Sequence, residues 1–551
     1  MNKKIILLLG ITLALTFFLR FYRVTEIPPS LNWDEISIAY NAYSILKTGR
    51  DEWNQWMPVH FKSYGEYKLP AQVYLSIPGI KLFGLNELGV RITPVIYGTL
   101  TVIVTFFLGK ALFKNSFVGL LSAFLLAISP WHIQLTRASF ESSLATFFVT
   151  LGILLYVLGF KDQKWFIISM IPFAFSIFTY NATRIFTPLF LLATSILYRD
   201  IFSRSKKFVI FSIILFVVLI LPLTPFLISG ERSARYKLVS ITDEPGLIPR
   251  INENRGRSKL PSPFPRLIHN KATYIAFYFT RNYLSHFTPQ FLFISGAPHK
   301  QHHVQNIGEL YLFQAPFLII GLVVLFYFKH RFKELLLSWL LLAYIPVSAT
   351  GDSIPHALRT LVAAPFYQMV TAFGAYQVYL WFKKKEFLWQ GIFIMLAIFI
   401  LMVIQLGGYL IEFYKIYPIK YSRDWQYGYR QVVDFVKRGV DNYDLIVFTR
   451  HYGEPHMFTL FYLNYDPSKY QNDPNLIRFE TYDWVRVLKF DKFYFPDLGD
   501  KGTQYEDIVK QNPGKKLLFI GKPGDFPSDL SRLLTVDFLD GNRAFELVES
   551  K

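Results

Sequence analysis

The chain of 551 residues contains no cysteine, which excludes disulfide bonds, thiolate metal ligands and a cysteine nucleophile. Acidic residues are few beside basic ones, 39 against 58, and the formal net charge is +19. The sequence also lacks internal repeats and a glycine-rich phosphate loop of the kind that marks nucleotide sites. These absences exclude a disulfide-stabilised fold and argue against an enzyme that binds a nucleotide.

Hydrophobic residues make up 52% of the chain, and most of them fall into apolar runs that recur as far as about Ile411. Runs of about 20 residues can cross a hydrocarbon core about 30 Å thick. The first run lacks a small-residue cleavage site before Arg20, so we expect it to be retained as a helix. We predict a polytopic α-helical membrane protein with about 11 spans. The predicted spans are residues 4–21, 89–109, 117–131, 142–160, 165–180, 184–198, 207–228, 309–328, 334–350, 360–382 and 388–411.

Positive charge is distributed unevenly between the two sets of short loops. Loops on one side carry pairs such as Lys110 and Lys114, whereas the short loops on the other side carry one arginine each. Cytoplasmic loops are enriched in Lys and Arg, so the pattern predicts a cytoplasmic N-terminus in a multi-pass plasma-membrane protein. Because the basic residues follow the loops, the net charge indicates membrane orientation and excludes nucleic-acid binding.

This orientation puts three large segments outside the cell: about 22–88, about 229–308 and everything after about 412. Helical spacing of apolar residues predicts helices over Glu35 to Leu46 and Pro70 to Phe83, both at the membrane surface. Residues 272–293 are hydrophobic but interrupted by polar side chains, and we expect a re-entrant or surface helix there. A span at that point would move the C-terminal residues to the other side and violate the charge pattern.

The sequence predicts two domains, a membrane domain at 1–412 and an extracytoplasmic α/β domain at 413–551. Short apolar runs alternate with helical patterns after Trp425, as is typical of an α/β domain. The predicted elements are helices at Arg430 to Arg438 and Met457 to Leu463, and strands at Leu445 to Phe448, Phe490 to Phe495, Leu517 to Ile520 and Ala544 to Val548.

Two adjacent carboxylates, Asp34 and Glu35, follow the first predicted span in a loop opened by Pro28-Pro29. Asp34 could simply charge the first turn of the helix to Leu46, which is favourable by about 0.3–1 kcal/mol. Charge close to hydrocarbon is costly, however, and reactive groups that serve a lipid-borne substrate must lie at that depth. We therefore predict Asp34 as a general base that takes a proton from an acceptor hydroxyl, with Glu35 orienting the acceptor or sharing a cation.

Four outward-facing cations are candidates for binding a lipid phosphate, since guanidinium and ammonium groups pair with phosphate oxygens. They are Lys68, Arg137, Arg184 and Arg359, and Glu141 follows Arg137 by four residues. The alternative is that these side chains extend along helix ends to reach the headgroups, as Lys and Arg commonly do.

Histidines give a weaker signal. His302 and His303 lie together before the span at Leu310, and His356 lies near Arg359. Imidazoles can bind metal or contact an acceptor, although loop histidines usually face solvent.

Four stretches of the chain resemble the GT-C superfamily of polyprenyl-phosphate-sugar-dependent glycosyltransferases. They are Pro28 to Glu35, Gly65 to Pro70 with Phe83 to Arg91, Ser129 to Arg137, and the later segments at Gly308 and His356 to Arg359. The branch most similar to it is the protein O-mannosyltransferase and aminoarabinose-transferase group. The segment Lys68-Leu-Pro70 departs from that group's Lys-Pro-Pro.

The resemblance implies a membrane glycosyltransferase that moves a monosaccharide from a polyprenyl-phosphate carrier to a hydroxyl of a glycan, lipid or protein, with inversion. It implies Asp34 as base and places Lys68 and Arg137 near the carrier phosphate. The leaving group is a single phosphate, so no cofactor is required and a divalent cation is optional. The alternative is a transporter or flippase of a lipid-linked or anionic substrate, but transporters place their ionisable groups near the bilayer midplane.

Overall fold

The computed structural model describes residues 2–204, 206–229, 239–244, 246–327, 330–384, 387–481, 484–499 and 502–550. The chain divides into two compact units. The first unit comprises Met1–Tyr22, Pro94–Thr136 and Glu141–Leu410, and the second comprises Arg23–Thr93, Arg137–Phe140 and Ile411–Lys551. The predicted boundary at residue 412 lies close to the start of the last segment. The first outer loop, however, belongs to the same unit as the C-terminal residues.

The first unit is helical. Its longer helices are Lys3–Phe21, Glu87–Phe113 (which begins in the second unit), Ser116–Ile128, Glu141–Gly159, Lys164–Ile177, Thr183–Leu197, Lys206–Ile220, Leu247–Arg257, Lys271–Ser285, Ala315–Tyr327, Lys333–Ala343, Ala364–Lys384 and Leu388–Ile411. Shorter helical turns are Pro130–Leu135, Arg199–Arg204, Leu221–Leu223, Thr224–Ile228, Phe264–Ile268, Gln290–Ile294, Leu312–Gln314, Ile345–Ser348, Ala357–Thr360 and Leu361–Ala363. Each predicted span overlaps one or more of these helices.

Within the described residues, five helical segments are long and apolar enough to cross a membrane by length and composition. They are Lys3–Phe21, Glu87–Phe113, Glu141–Gly159, Lys206–Phe226 and Trp389–Lys420. Several other predicted spans form shorter helices, because proline, serine or a turn ends them early, as Ser129-Pro130 ends the helix Ser116–Ile128. The helical membrane fold is confirmed, whereas the number of about 11 spans stays a prediction.

The predicted surface helix at residues 272–293 forms as Lys271–Ser285, which has 15 residues. Its Asn282 is buried, and the side-chain amide donates to the backbone carbonyls of Ser348 at 3.3 Å and Thr350 at 2.7 Å. This helix is too short to cross the hydrocarbon core at 1.5 Å per residue.

The second unit contains helices and two sheets. Its helical segments are Trp33–Thr48, Pro70–Phe83, Glu412–Ile416, Tyr417–Lys420, Tyr429–Gly439, Val440–Asn442, Pro455–Tyr462, Pro467–Gln471 and Tyr505–Gln511. Its strands are β1 (Phe61–Ser63), β2 (Glu66–Lys68), β3 (Leu445–Phe448), β4 (Ile477–Glu480), β5 (Val485–Phe490), β6 (Phe493–Tyr494), β7 (Leu517–Gly521), β8 (Leu534–Asp537) and β9 (Arg543–Glu549).

Strands β1 and β2 form an antiparallel hairpin, and the other seven strands form a mixed sheet in the order β4-β5-β6-β3-β7-β9-β8. Strand β3 pairs in parallel with β6 and β7, and the remaining pairs are antiparallel. The C-terminal α/β prediction is confirmed, but the strand predicted over Phe490 to Phe495 is two strands. A turn at Asp491, which has a positive φ of 46°, separates them.

A single hydrophobic core explains why the first outer loop and the C-terminal residues form one unit. Ile36, Tyr40 and Val73 from the loop are buried with Val432, Phe458 and Phe545 from the C-terminal part. Each buried side chain of this size contributes about 1.5–3 kcal/mol. The helix Trp33–Thr48 therefore rests on the C-terminal sheet domain, a grouping that the predicted domain division did not anticipate.

Candidate active site

The loop that follows the first hydrophobic helix leads directly into the helix Trp33–Thr48. Asn32 caps this helix, since its side chain accepts from the Glu35 N–H at 2.9 Å while the Glu35 carboxylate accepts from the Asn32 N–H at 3.2 Å. This capping box fixes the first turn. Tyr64 donates through its hydroxyl to the Trp33 carbonyl at 2.9 Å, and so the position of Asp34 is held from both sides.

Asp34 forms an ion pair with Lys68. The Nζ of Lys68 lies 2.7 Å from Oδ1 of Asp34 and 3.2 Å from Oε1 of Glu66. The Lys68 side chain is only 3% exposed, whereas that of Asp34 keeps 31% of its surface. The structure thus brings together the predicted base and one predicted phosphate ligand. The carboxylate of Asp34 remains partly accessible at the protein surface.

Glu35 is buried against an arginine of a distant helix. Its carboxylate is fully buried and accepts from Arg91 twice, with Nε–Oε1 at 3.0 Å and Nη2–Oε2 at 3.1 Å. The Ser139 N–H donates to the same oxygen Oε1 at 3.0 Å. Both oxygens are thus occupied by protein donors, and the catalytic role of Glu35 stays a prediction.

Arg91 ties the loop before Asp34 into place. Besides Glu35, it donates to the carbonyls of Val24 at 2.9 Å, Pro28 at 2.8 Å and Ser30 at 2.5 Å. Arg91 is buried, and a buried charge of this kind is stable only when it is paired and hydrogen-bonded. Arg91 ends the segment Phe83 to Arg91 that carries part of the family resemblance, but no role was predicted for it. Its position four residues after Glu87 in an otherwise apolar helix was the available signal.

Arg137 is also buried. Together with Arg91 it forms a frame of buried arginines that binds the loop before Asp34. Its guanidinium donates to the Ile27 carbonyl at 2.8 and 3.2 Å and to the Tyr414 hydroxyl at 3.2 Å, and it stacks on the rings of Phe413 and Tyr414. Arg137 holds the loop before Asp34, because its donors have protein partners and its surface is not exposed. Direct phosphate binding by Arg137 stays a prediction.

The other predicted phosphate ligands lie in the first unit. Arg359 is buried and donates to the Thr350 hydroxyl at 2.7 Å and to Asp352 Oδ2 at 3.0 Å. Arg184 stacks on the Phe226 ring, with 5.3 Å between the guanidinium carbon and the ring centroid. Glu141 begins the helix Glu141–Gly159, where a carboxylate in the first turn is favoured by the helix dipole. Arg184 and Arg359 thus contact different residues.

The predicted histidines separate into two places. The His302 ring stacks on His299 with centroids 3.7 Å apart and lies 5.1 Å from the His356 ring. His303 instead pairs with Glu309, with 3.1 Å between Nδ1 and Oε1. Across the described residues, no group of three or more His, Asp or Glu side chains is arranged to hold a metal ion. The metal hypothesis for His302, His303 and His356 therefore finds no ligand set in this part of the chain.

Buried carboxyl groups near the hairpin β1–β2 predict a pH-dependent stability for the second unit. Burial raises the pKa of Glu52 and of Glu454 to about 7, from 4.5 in the unfolded chain. The folded state keeps two protons that the unfolded chain loses between pH 4.5 and 7, so stability falls as the pH rises through that window. Burial also lowers the pKa of His456 to about 3 from 6.5, which has the opposite sign below pH 6.5 but involves only one proton.

We therefore expect Glu52→Gln to remove part of this loss of stability, because one of the two protons is removed, at ~1.4 kcal/mol for each unit of pKa shift. The measurement is the melting temperature of the protein in lipid, followed by tryptophan fluorescence at pH 5 and at pH 8. Relative to the wild type, the melting temperature of Glu52→Gln should rise between these two pH values. Glu506→Gln, at an exposed carboxylate of the same unit, is the control and should keep the wild-type pH dependence. A Glu52→Gln variant with the wild-type pH dependence would contradict the prediction.

The chain resembles known proteins in part of its sequence and in its fold. Residues 70–224 match the family described as dolichyl-phosphate-mannose-protein mannosyltransferase. An uncharacterized protein of Aquifex aeolicus (strain VF5) is 29% identical over 167 residues, which is 30% of this chain and 32% of that protein. The match thus spans about a third of the relative's length.

Solved structures resemble the chain over more of its length. ArnT from Cupriavidus metallidurans in the apo state has a TM-score of 0.55 at 10% identity and covers 99% of this chain and 97% of its own. Its complex with undecaprenyl phosphate gives the same TM-score at 12% identity. The Archaeoglobus fulgidus oligosaccharyltransferase in the apo form has a TM-score of 0.51 at 13% identity, over 83% of this chain and 64% of its own. The resemblance predicted from the sequence is thereby confirmed, and the chain has the fold of ArnT.

Proposed function

We propose that the protein is a membrane glycosyltransferase that transfers one sugar from a polyprenyl-phosphate carrier to an acceptor hydroxyl on the extracytoplasmic face. The observation that carries this proposal is the accessible carboxylate of Asp34 bound to the buried Lys68, just after the first membrane helix. The family match over residues 70–224, which include the helix after Lys68, supports it. So does the fold shared with ArnT, which has been solved with undecaprenyl phosphate.

Asp34 acts as the general base in this proposal. Its carboxylate takes the proton of the acceptor hydroxyl, the acceptor oxygen forms a bond to the sugar C1, and the bond from C1 to the phosphate oxygen breaks. The polyprenyl phosphate leaves with the bonding electrons, and attack from the opposite face inverts the configuration at C1. A positioned base of this kind contributes about 10²–10⁴-fold to the rate.

In this proposal Lys68 couples binding of the donor phosphate to activation of Asp34 as the base. In the protein without substrate its ammonium group is shared between Asp34 and Glu66. A carrier phosphate that binds Lys68 competes with Asp34 for that charge and releases the Asp34 carboxylate toward the acceptor. Glu66 keeps Lys68 in place during this exchange. Stabilisation of the departing phosphate by such a preorganised cation is worth ~3 kcal/mol.

The frame of Arg91 and Arg137 fixes the position of Asp34 with the precision that the reaction requires. Arg91 and Arg137 fix the loop from Val24 to Ser30 through its backbone carbonyls, and the capping box fixes the next turn. Small displacements of a catalytic group cost about 10²-fold in rate. These residues therefore act as positioning residues, and none of them contacts the reacting atoms.

Sugar transfer by the purified protein in lipid nanodiscs tests the proposal. Radiolabelled polyprenyl-phosphate sugars are offered one at a time, together with a membrane extract as the source of acceptor, and labelled product is separated from the donor. We expect transfer of one sugar from one of these donors. Lys68→Met, which keeps most of the length of the side chain but removes its charge, should lose this transfer activity.

Folded wild-type protein that turns over no donor would overturn the proposal. Movement of the intact labelled lipid across a sealed bilayer, without release of polyprenyl phosphate, would instead support the transporter alternative. Transfer that is unaffected in Lys68→Met would leave the activity in place but remove Lys68 from donor binding.

A further inference from the structure

The second unit contains a cavity of about 680 Å³ that the proposed reaction does not use. Among the residues that line it are Tyr414, Tyr427, Tyr462, Glu87, Arg430 and Gln431. Its volume lies within the range of pockets that bind small organic ligands. The lining also includes Arg23, two residues after the helix Lys3–Phe21 ends, and Lys415, which lies within the apolar helical segment Trp389–Lys420. The cavity is therefore lined by residues that are close in the sequence to two apolar helices.

The charged groups of the cavity wall neutralise one another. Arg430 pairs with Glu87 at 3.2 Å and lies 3.8 Å from Asp434, and Arg23 pairs with Glu26 at 2.7 Å. Among the described residues Lys415 alone of the lining cations has no carboxylate partner. A phosphate needs several donors or cations that are not already paired. The wall thus disfavours an anion and offers both hydrogen-bond donors and acceptors.

Gln431 presents a polar atom that lacks a partner within the described part of the chain. Its Oε1 is buried and accepts no hydrogen bond there, and an unsatisfied buried acceptor costs about 1–3 kcal/mol. The three tyrosines add ring faces and hydroxyl groups, one of which donates to Glu87 at 3.3 Å. Side chains with an apolar body and a polar end match sugar rings, which combine apolar C–H faces with hydroxyl groups.

The cavity wall is the reverse side of the loop that leads to Asp34. Ile27 and Ser30 line the cavity, and their backbone carbonyls are the groups that Arg137 and Arg91 bind. Tyr414 lines it as well and accepts a hydrogen bond from Arg137. A molecule in the cavity would therefore touch the frame that positions the proposed base.

We propose that this cavity binds an uncharged, hydroxyl-rich segment of the acceptor, a short oligosaccharide. The inference rests on the proposed function, because it is that function which supplies an acceptor. It assigns the cavity to the acceptor and not to the donor, since the donor's phosphate would meet cations that are already neutralised.

Saturation-transfer NMR on the protein in phosphatidylcholine nanodiscs, free of sugar detergents, tests the inference. The probes are mannotriose and maltotriose, with glucose 6-phosphate as the anionic comparison. Asp34→Asn is measured beside the wild type, so the readout does not depend on turnover. Gln431→Trp fills the cavity, and Gln511→Trp places the same residue at an exposed position on another helix of the same unit.

We expect at least one neutral trisaccharide to receive saturation from the wild type, Asp34→Asn and Gln511→Trp, with at least a fivefold loss in Gln431→Trp. Any saturation signal from glucose 6-phosphate should be the same in the wild type and in Gln431→Trp, because the cavity should not bind an anion. If Gln431→Trp lowers the melting temperature, Gln431→Ala replaces it and should still weaken the signal.

Absence of a trisaccharide signal in the wild type, or an equal signal in the Gln431 variants, would overturn the inference. If the wild type transfers sugar but one of these two outcomes is found, the proposed function stands and only the assignment of the cavity to the acceptor fails. A trisaccharide signal in a protein that turns over no donor would overturn the proposed function and, with it, the assignment of the bound sugar as acceptor.

Discussion

Asp34→Asn is expected to lower sugar transfer by about 10²–10⁴-fold while the protein remains folded. The amide keeps the size of the carboxylate and can still accept from Lys68 Nζ, which lies 2.7 Å from Oδ1 in the wild type. What it cannot do is take the proton of the acceptor. The measurement is the initial rate of transfer at saturating donor, with size-exclusion profile and melting temperature recorded on the same sample.

Asp507→Asn is the matched control for this substitution. Asp507 and Asp34 are both acidic residues in the first turn of a helix in the second unit, so the two variants make the same chemical change in the same turn of a helix. The control should transfer sugar at the wild-type rate. If Asp34→Asn does too, Asp34 is not the base, and its ion pair with Lys68 serves only to hold the donor.

Glu35→Gln is expected to destabilise the second unit by about 3–5 kcal/mol, although it changes the residue next to Asp34 in the same way. The reason is that it leaves the buried Arg91 without its counter-charge, and removal of one partner of a buried pair costs this much. For a unit of this size the melting temperature should fall by about 10 °C. The same change at two adjacent carboxylates would thus affect different properties: the transfer rate at Asp34 and the stability at Glu35.

A double-mutant cycle separates the ion pair from other effects of Glu35→Gln. Arg91→Met alone and the double variant Glu35→Gln with Arg91→Met complete the cycle, followed by thermal unfolding in nanodiscs. We expect the double variant to be more stable than the sum of the single effects indicates, because neither charge is then left buried alone. Strict additivity would mean that the two side chains do not stabilise each other.

Much of the fold followed from the sequence where local signals were strong. Apolar runs located the apolar helices of the first unit, and the helix Pro70–Phe83 and the strand Leu445–Phe448 form with their predicted bounds. The strands Ile477–Glu480 and Leu534–Asp537 were not predicted. Both have mostly partly exposed side chains, so their apolar pattern is weak, and pairing with neighbouring strands determines them.

The site was predictable in its residue types but not in their partners. Asp34 and Lys68 were identified as a pair of candidates, and the structure joins them. Glu35 and Arg137 carry the same kinds of charge, yet each is buried by a partner from a distant part of the sequence. The Arg91–Glu35 bond joins residues 56 positions apart and the Arg137–Ile27 bond joins residues 110 apart. Nothing in the local sequence distinguishes an exposed carboxylate from a buried one.

The shared core of the second unit has a consequence for how the chain is made. The Tyr40 hydroxyl donates to the Tyr465 carbonyl, 425 residues later, and ribosomes add about 5–20 residues per second. The helix around Tyr40 must therefore wait ~20–80 s after its synthesis for its partner to emerge. During that time its apolar face is uncovered, while all the membrane helices are inserted. The protein gains its proposed catalytic loop only in the last stage of its biogenesis, and a chain that stops after its last membrane helix would never complete it.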